Sequence, residues 1–277
     1  MKITVLGSAA AEGVPALWCE CACCTAARKN GGRDWRRRTS YLIDTDTMID
    51  FGPDAYWQTM TFGIDLLRLK RIVYTHWHTD HLNPVELHWR QEGFSVVGHE
   101  LEALGSRATL AEIKFPHGCD MAAMKIKPVE LTAGQSFQDD DLTLLPLAAA
   151  HANTSGGEAL NYVLTRDGKS ILIANDTGWW PDASWQAIAQ VLPLDAAIIE
   201  CTGGIAPGSI DWQEFHLGAN GALAFRDRLR ELGAITDHTA VLVNHFSHNG
   251  NPLQCDLEAF FRPHRIQPAY DGLVLNL

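Results

Sequence analysis

The sequence lacks the features that would place the protein in a membrane or on nucleic acid. No run of about 18 or more apolar residues occurs, which argues against a membrane-spanning helix. Positive charge is scarce, because 22 Lys and Arg residues stand against 33 Asp and Glu, for a net charge of −11. Such a surface repels anionic lipids and nucleic-acid backbones, so we expect neither a membrane nor a large nucleic-acid partner.

The sequence also lacks a linker, a low-complexity segment and a repeat of fixed period. We therefore predict a single domain over residues 1–277. The opening stretch KITVLGS is too short an apolar run for a signal peptide, and we interpret it as a first β-strand. The cytoplasm is the expected location, and a homodimer is the default expectation for assembly.

Short apolar runs predict many strands, and several of these strands end in polar residues. RIVYTH ends at His76, LLPLAAAH at His151, SILIAND at Asp176 and AVLVNH at His245. Stretches with helical spacing, such as 181–193 and 218–233, lie between other runs. The pattern predicts an α/β fold with two mixed sheets packed face to face and helices outside.

The stretch THWHTDH concentrates four residues that can bind a metal: His76, His78, Asp80 and His81. Burying them without a cation would leave several polar groups unpaired, at about 1–3 kcal/mol each. The sequence therefore predicts a metal site, and the spacing allows one stretch to serve two metals. Zinc, manganese, iron and nickel all suit histidine and carboxylate ligands.

Four cysteines lie within the stretch WCECACC. Cys19, Cys21 and Cys24 offer three thiolates, and a tetrahedral structural zinc needs a fourth ligand. We favour His248 for that position. Cys23 as the fourth ligand, or a set of inert buried thiols, are the alternatives.

HWHTDH resembles the His-x-His-x-Asp-His signature of the metallo-β-lactamase-fold hydrolases, and AAAH, ANDTG and VNHFSH follow in that family's order. The resemblance covers nearly the whole chain and implies an αββα sandwich with two divalent metals that share a reactive hydroxide. The implied ligands are His76, His78 and His151 for the first metal, Asp80, His81 and His245 for the second, and Asp176 as the bridge.

The cysteine stretch together with HFSH resembles the cyclic phosphodiesterases of bacterial phosphonate breakdown, the PhnP type. In that resemblance His245 serves the metal pair and His248 completes the structural zinc. It also implies a catalytic role for His216, placed to act on the phosphate or to protonate the leaving alkoxide. Zinc ligation by His216 in place of His248, or a plain helix-capping or surface role, remain open. Asp80 and His216 are the residues assigned to catalysis.

We therefore expect a dinuclear metal-dependent phosphodiesterase that acts on a small anionic substrate, which loops such as 152–160 and 202–215 would select. Residues 27–40 carry many arginines and are either a solvated loop or a rim that attracts the anion. LGSAAAEGVPALWCECACC and NGNPL also resemble the coenzyme PQQ biosynthesis protein B, which departs from the intact histidine motif. A non-catalytic zinc-binding module is a further alternative. A tRNA-3′-processing nuclease is disfavoured because we see no inserted arm.

Overall fold

The computed structural model describes residues 1–151, 159–191 and 193–277, and their backbone forms two seven-stranded sheets. The first sheet has the order β14-β1-β2-β3-β4-β5-β6. Its strands are β1 (Lys2–Gly7), β2 (Ser40–Ile43), β3 (Thr47–Ile49), β4 (Arg71–Val73), β5 (Leu101–Gly105), β6 (Ile126–Glu130) and β14 (Val274–Asn276).

The second sheet has the order β13-β12-β11-β10-β9-β8-β7. Its strands are β7 (Phe137–Asp139), β8 (Leu142–Ala148), β9 (Leu160–Arg166), β10 (Lys169–Ala174), β11 (Ala196–Glu200), β12 (Ala240–Asn244) and β13 (Gln267–Pro268). In both sheets antiparallel pairs on one side give way to parallel pairs on the other.

Alternation along the central strands explains why the sheets stack. In β10, Ile171 and Ile173 pack between the two sheets, whereas Leu172 and Ala174 pack against the helices outside. Because successive side chains of a strand point to opposite faces, a strand that is apolar throughout is buried on both. The predicted αββα sandwich is confirmed.

Helices cover the outer faces of both sheets. They are α1 (Ala22–Asn30), α2 (Ala55–Phe62), α3 (Val85–His88), α4 (Arg107–Ala111), α5 (Asp182–Ile188), α6 (Ala219–Glu231) and α7 (Gln254–Phe261). The helix predicted over 218–233 forms as α6, and Phe225 and Leu229 face the second sheet. The helix predicted over 181–193 ends earlier, at Ile188, and its residue Leu192 lies outside the described residues.

One of the short apolar runs, FSVVGHE, predicts a strand from its composition, and this prediction was wrong. The run FSVVGHE, residues 94–100, has no strand structure, and Phe94 and Val96 are exposed. The neighbouring β5 begins only at Leu101 and pairs with β4 and β6. No helix in the part of the chain that the structure describes is long and apolar enough to cross a bilayer.

Candidate functional site

The histidine-rich motif lies in the loop that follows β4. The strand ends at Val73, and His76 and His81 are fully buried three and eight residues later. Asp80 is nearly buried, whereas His78 is half-buried. The loop therefore directs imidazoles into the protein at the carboxyl end of a strand, where a rigid scaffold can hold them.

Three histidines form the first group of side chains. His76, His78 and His151 each offer a ring nitrogen, and these nitrogens lie within 4.8 Å of one another. His78 Nδ1 is 3.2 Å from His151 Nε2. His151 follows β8 of the second sheet, so this group joins the two sheets.

A second group lies beside the first and contains Asp80, His81 and His245 within the same limit of 4.8 Å. Asp176 lies between the two groups. Its Oδ2 is 3.0 Å from the Nε2 atoms of both His81 and His245, and its Oδ1 is 3.7 Å from His151 Nε2. This is the position that a bridging carboxylate would occupy.

Buried polar atoms of these groups need a partner. His76 Nε2, His81 Nε2, His245 Nε2 and Asp176 Oδ2 are buried, and within residues 1–151, 159–191 and 193–277 none of them makes a contact with hydrogen-bond geometry. The 3.0 Å contacts of Asp176 Oδ2 with His81 and His245 are therefore close approaches of these atoms and not hydrogen bonds. Burial holds the pKa of His76 well below its usual value, so its ring is neutral and has a free lone pair. A set of converging, unpaired nitrogen and oxygen atoms fits divalent metal ions of the zinc type.

Residues behind the motif fix its orientation. Asp50 Oδ2 lies 2.6 Å from His81 Nδ1, which directs His81 Nε2 toward Asp80 and Asp176. The other Asp50 oxygen accepts hydrogen bonds from the backbone N–H and the hydroxyl of Thr75. From the sequence alone, Asp50 in the stretch IDFGPD could equally orient a metal ligand or form a turn. Its contacts support the orienting role.

Two hydrogen bonds between the sheets position two more members of the site. Tyr41 Oη donates to Asn175 Oδ1 at 2.8 Å and accepts from Asn244 Nδ2 at 2.7 Å. These asparagines immediately precede Asp176 and His245, both of which adopt positive φ angles, 45° and 62°. Residues other than glycine rarely adopt this conformation, so the clamped strand ends hold a strained backbone that aims both side chains.

Glu200 is a site residue that the sequence analysis missed. Its carboxylate is fully buried at the end of β11, and its Oε1 is 2.8 Å from His216 Nδ1. Backbone N–H groups of Thr177, Thr202 and Leu217 also donate to it. Burial alone would lower the pKa of His216, but the Glu200 carboxylate outweighs burial and raises it. The sequence contained a signal for Glu200, because the apolar run AAIIE predicts a strand that ends in a carboxylate.

The cysteine stretch forms a separate group. Cys19, Cys21, Cys24 and His248 lie within 4.8 Å of one another. His248 Nδ1 is 3.5 Å from Cys19 Sγ and 3.7 Å from Cys21 Sγ, close to the separation of about 3.6 Å between sulfur and nitrogen around a tetrahedral zinc. Burial raises the pKa of Cys23 to about 11, and this thiol lies outside the group.

His216 lies away from the thiols, beside Glu200 and His151. This placement argues against the alternative in which His216 replaces His248 at the cysteine group. The group is joined to the other site through the chain, since His248 follows His245 by three residues.

A hollow of about 300 Å³ opens over the two histidine groups. Its walls include His78, Asp80, His151, Asp176, Thr202, Ser209, Trp212, His216, His245, Ser247 and Asn249. The loop 202–215 contributes to this wall as expected, whereas residues 152–158 of the other expected loop lie outside the described residues.

The arginine-rich segment does not form a free cationic rim at Arg36–Arg38. Arg36 is buried and donates to the carbonyls of Pro252 and Ala269. Arg37 pairs with Asp271 at 3.2 Å, and Arg38 pairs with Asp54 at 3.1 Å. These three positive charges are therefore used within the fold.

Comparisons with known proteins agree with this architecture. The family model described as "Beta-lactamase superfamily domain" matches residues 42–243. A curated protein of Porphyromonas gingivalis (strain ATCC BAA-308 / W83), an octanoyltransferase, is 32% identical over 161 residues. That match covers 54% of this chain and 31% of the octanoyltransferase, so it spans about a third of that protein's length.

Solved structures with the same fold cover the whole chain. A diphosphatase from the PhnP family is 24% identical, with a TM-score of 0.75, over 100% of this chain and 97% of its own. Zn²⁺-bound PqqB from Methylobacterium extorquens is 19% identical, with a TM-score of 0.78, over 100% of both chains. At these identities the likeness concerns the fold.

Proposed function

This chain belongs to the β-lactamase superfamily, and from that premise we propose that it is a dinuclear metal-dependent phosphodiesterase acting on a small anionic diester. Its fold is that of the metallo-β-lactamase-type hydrolases. The proposed ligands are His76, His78 and His151 for one metal, Asp80, His81 and His245 for the other, and Asp176 between them. Cys19, Cys21, Cys24 and His248 would hold a structural zinc.

The observation that carries the proposal is the pairing of His216 with Glu200 on the wall of the hollow that holds both metal groups. A sugar or alkyl alkoxide is a poor leaving group unless it receives a proton. Glu200 binds the Nδ1 side of the ring, so Nε2 is the nitrogen that can donate toward a substrate. A dinuclear metal pair with a proton donor beside it suits the cleavage of a phosphodiester.

Divalent metals in such a ligand set lower the pKa of a bound water and neutralise charge on phosphoryl oxygens. The protein's own residues supply the rest. In the hydrolysis, an oxygen of water bonds to phosphorus and one proton of that water is released to solvent. The bond between phosphorus and the leaving oxygen breaks, the proton on His216 Nε2 passes to that oxygen, and His216 regains a proton from solvent. Thr202 contacts His245 Nδ1 at 2.8 Å and keeps the imidazole in place during the reaction.

The test is hydrolysis of bis-p-nitrophenyl phosphate by metal-loaded protein. We expect His78→Ala to lower kcat/KM at least about a hundredfold and to reduce the bound metal, because it removes a half-buried ligand of the proposed metal pair. His238→Ala is the matched control, since His238 is exposed and lies outside the site. Turnover by His78→Ala equal to the wild type would contradict the proposal.

The same assay separates the alternatives. Protein that retains metal but turns over no member of a panel of phosphodiesters, esters and lactams would favour a biosynthetic role like that suggested by the PqqB resemblance. A single chelator-resistant zinc and no further metal would instead indicate a binding module without catalysis.

A further inference from the structure

A second hollow lies beside the proposed active site. It has a volume of about 220 Å³, and Glu12 lines both hollows. Ala10 and Ala11 face the first hollow, and Gly13 and Val14 face the second. The turn over residues 10–13 is thus a ridge between them, and a ligand extended across it would occupy both.

Hydrogen bonds fix this ridge to the site. The backbone N–H of Ala10 donates to the carbonyl of Phe246, the residue after His245, at 2.9 Å. Arg38 Nε donates to the carbonyl of Ala11 at 2.9 Å, and Val14 pairs with Arg36 through both backbone groups. The second hollow is therefore held at a fixed position relative to the metal groups.

Two tryptophans provide flat walls. Trp35 and Trp57 are 47% and 51% exposed, so about half of each side chain faces outward. Trp35 Nε1 donates to the carbonyl of Ala27 at 2.9 Å, and the Arg37 guanidinium lies 4.1 Å from the centre of the Trp57 ring. Both rings are held in place before any ligand binds, which reduces the entropy lost on binding.

The arginines of this hollow already have partners within the fold. Arg37 and Arg38 pair with Asp271 and Asp54, and buried Arg36 donates to neutral oxygen atoms, among them the Ala269 carbonyl. The Glu12 carboxylate on the same wall would repel an anion, whereas an uncharged aromatic ring can stack on indole faces.

We propose that this hollow is a substrate subsite for a flat aromatic group, such as a nucleobase or an aryl ring, carried on the side of the phosphodiester that is retained after cleavage. The inference rests on the proposed function, since the phosphoryl group must lie in the first hollow. It assigns Trp35 and Trp57 to substrate specificity.

The test compares two diesters that release the same p-nitrophenolate. Bis-p-nitrophenyl phosphate retains an aryl group, and methyl p-nitrophenyl phosphate retains a methyl group. We expect Trp57→Ala and Trp35→Ala each to lower the ratio of the two kcat/KM values about tenfold relative to wild type, chiefly through KM. Trp89→Ala is the control, because Trp89 is 45% exposed but lines neither hollow; it should leave the ratio unchanged.

Hydrolysis of both diesters with an unchanged ratio in both tryptophan variants would overturn the subsite and leave the phosphodiesterase intact. Hydrolysis of neither by the wild type would refute the phosphodiesterase itself. Calorimetry with metal-loaded protein gives a readout without turnover. Phenyl phosphate should bind about tenfold more tightly than methyl phosphate, and Trp57→Ala should remove the difference; equal affinities for the wild type would overturn the subsite.

Discussion

Replacing Glu200 with glutamine tests the polar network behind the proposed proton donor. The carboxylate is fully buried, and each of its oxygens accepts two hydrogen bonds. Oε1 accepts from Thr177 N and His216 Nδ1, both at 2.8 Å, and Oε2 accepts from Thr202 N and Leu217 N at 2.9 and 3.1 Å. Glutamine has the same shape but only one acceptor oxygen, so its NH₂ group must face two donors.

The orientation of lowest energy follows from the identity of those donors. Backbone N–H groups cannot change their role, but His216 Nδ1 can become an acceptor if the ring proton moves to Nε2. The amide NH₂ should therefore face His216 and Thr177. This arrangement leaves the Thr177 N–H unpaired and turns three charge-assisted bonds into weaker neutral ones. Taking about 1–3 kcal/mol for each buried group left unsatisfied, we expect a loss of about 3 kcal/mol in the free energy of unfolding.

Thermal unfolding of metal-loaded protein measures the effect. At roughly 2–4 °C per kcal/mol for a domain of this size, Tm should fall by roughly 6–12 °C. Glu231→Gln is the matched control, because Glu231 lies on the exposed surface of α6 and pairs with Arg228 at 3.0 Å. Such a surface pair contributes about 0–1 kcal/mol. Equal Tm values for the two variants would refute the network described around Glu200.

Three further substitutions test other parts of the structure. His216→Asn should lower kcat on a cyclic alkyl phosphodiester by about 10²–10⁴-fold, measured by phosphorus NMR. The loss of kcat on p-nitrophenyl diesters should be far smaller, because p-nitrophenolate leaves without a proton. Equal losses on the two substrates would count against proton donation by His216. Cys24→Ser should remove about one zinc per chain by elemental analysis, while Cys23→Ser keeps it, and the idea fails if both variants retain zinc. Arg166→Met should cost about 3 kcal/mol in urea unfolding at pH 7, since the arginine is buried against Asp46 at 2.9 Å. Burial alone would raise the pKa of Asp46, but Arg166 lowers it below the usual value. The stabilisation by this ion pair is therefore complete above about pH 4 and is lost as pH falls through the pKa of Asp46 in the folded protein. The difference in unfolding free energy between variant and wild type should narrow over that range, and a constant difference would contradict the pairing.

The groups of metal-ligating residues could be predicted because these residues directly follow the apolar strands that form the sheets. Apolar strands such as β10 and β12 need burial on both faces, and their carboxyl ends meet at one edge of the sheet. Polar residues directly after such strands, Asp176 and His245, therefore come together without detailed knowledge of the loops. Glu200 obeys the same rule at the end of β11, and a search that included strand-ending glutamates would have found it.

Strand propensity gave a wrong prediction where pairing with other strands decides the structure. The run 94–100 is rich in residues that favour strands, yet Val96 is fully exposed, and the place beside β4 is taken by β5, with β6 at the edge of the sheet. A strand needs a partner with unpaired backbone groups and a face to bury, and the sequence of the run alone contains neither.

The second hollow, which Trp35 and Trp57 line, could not be predicted from the sequence, because its lining residues are far apart along the chain. Glu12 and Trp35 come from two separate loops and Trp57 from α2, and no spacing rule relates them. They meet because the arginines that follow Trp35 are bound to two distant parts of the chain. Arg36 and Arg37 are bound to the loop after β13, and Arg38 is bound to Asp54, just before α2. Read alone, the arginines suggested either a solvated loop or a rim for anions. In the folded protein Arg37 and Arg38 pair with carboxylates and Arg36 is hydrogen-bonded in the interior. The groups that would activate water therefore follow from strand ends, whereas the groups that would select a substrate depend on these long-range contacts.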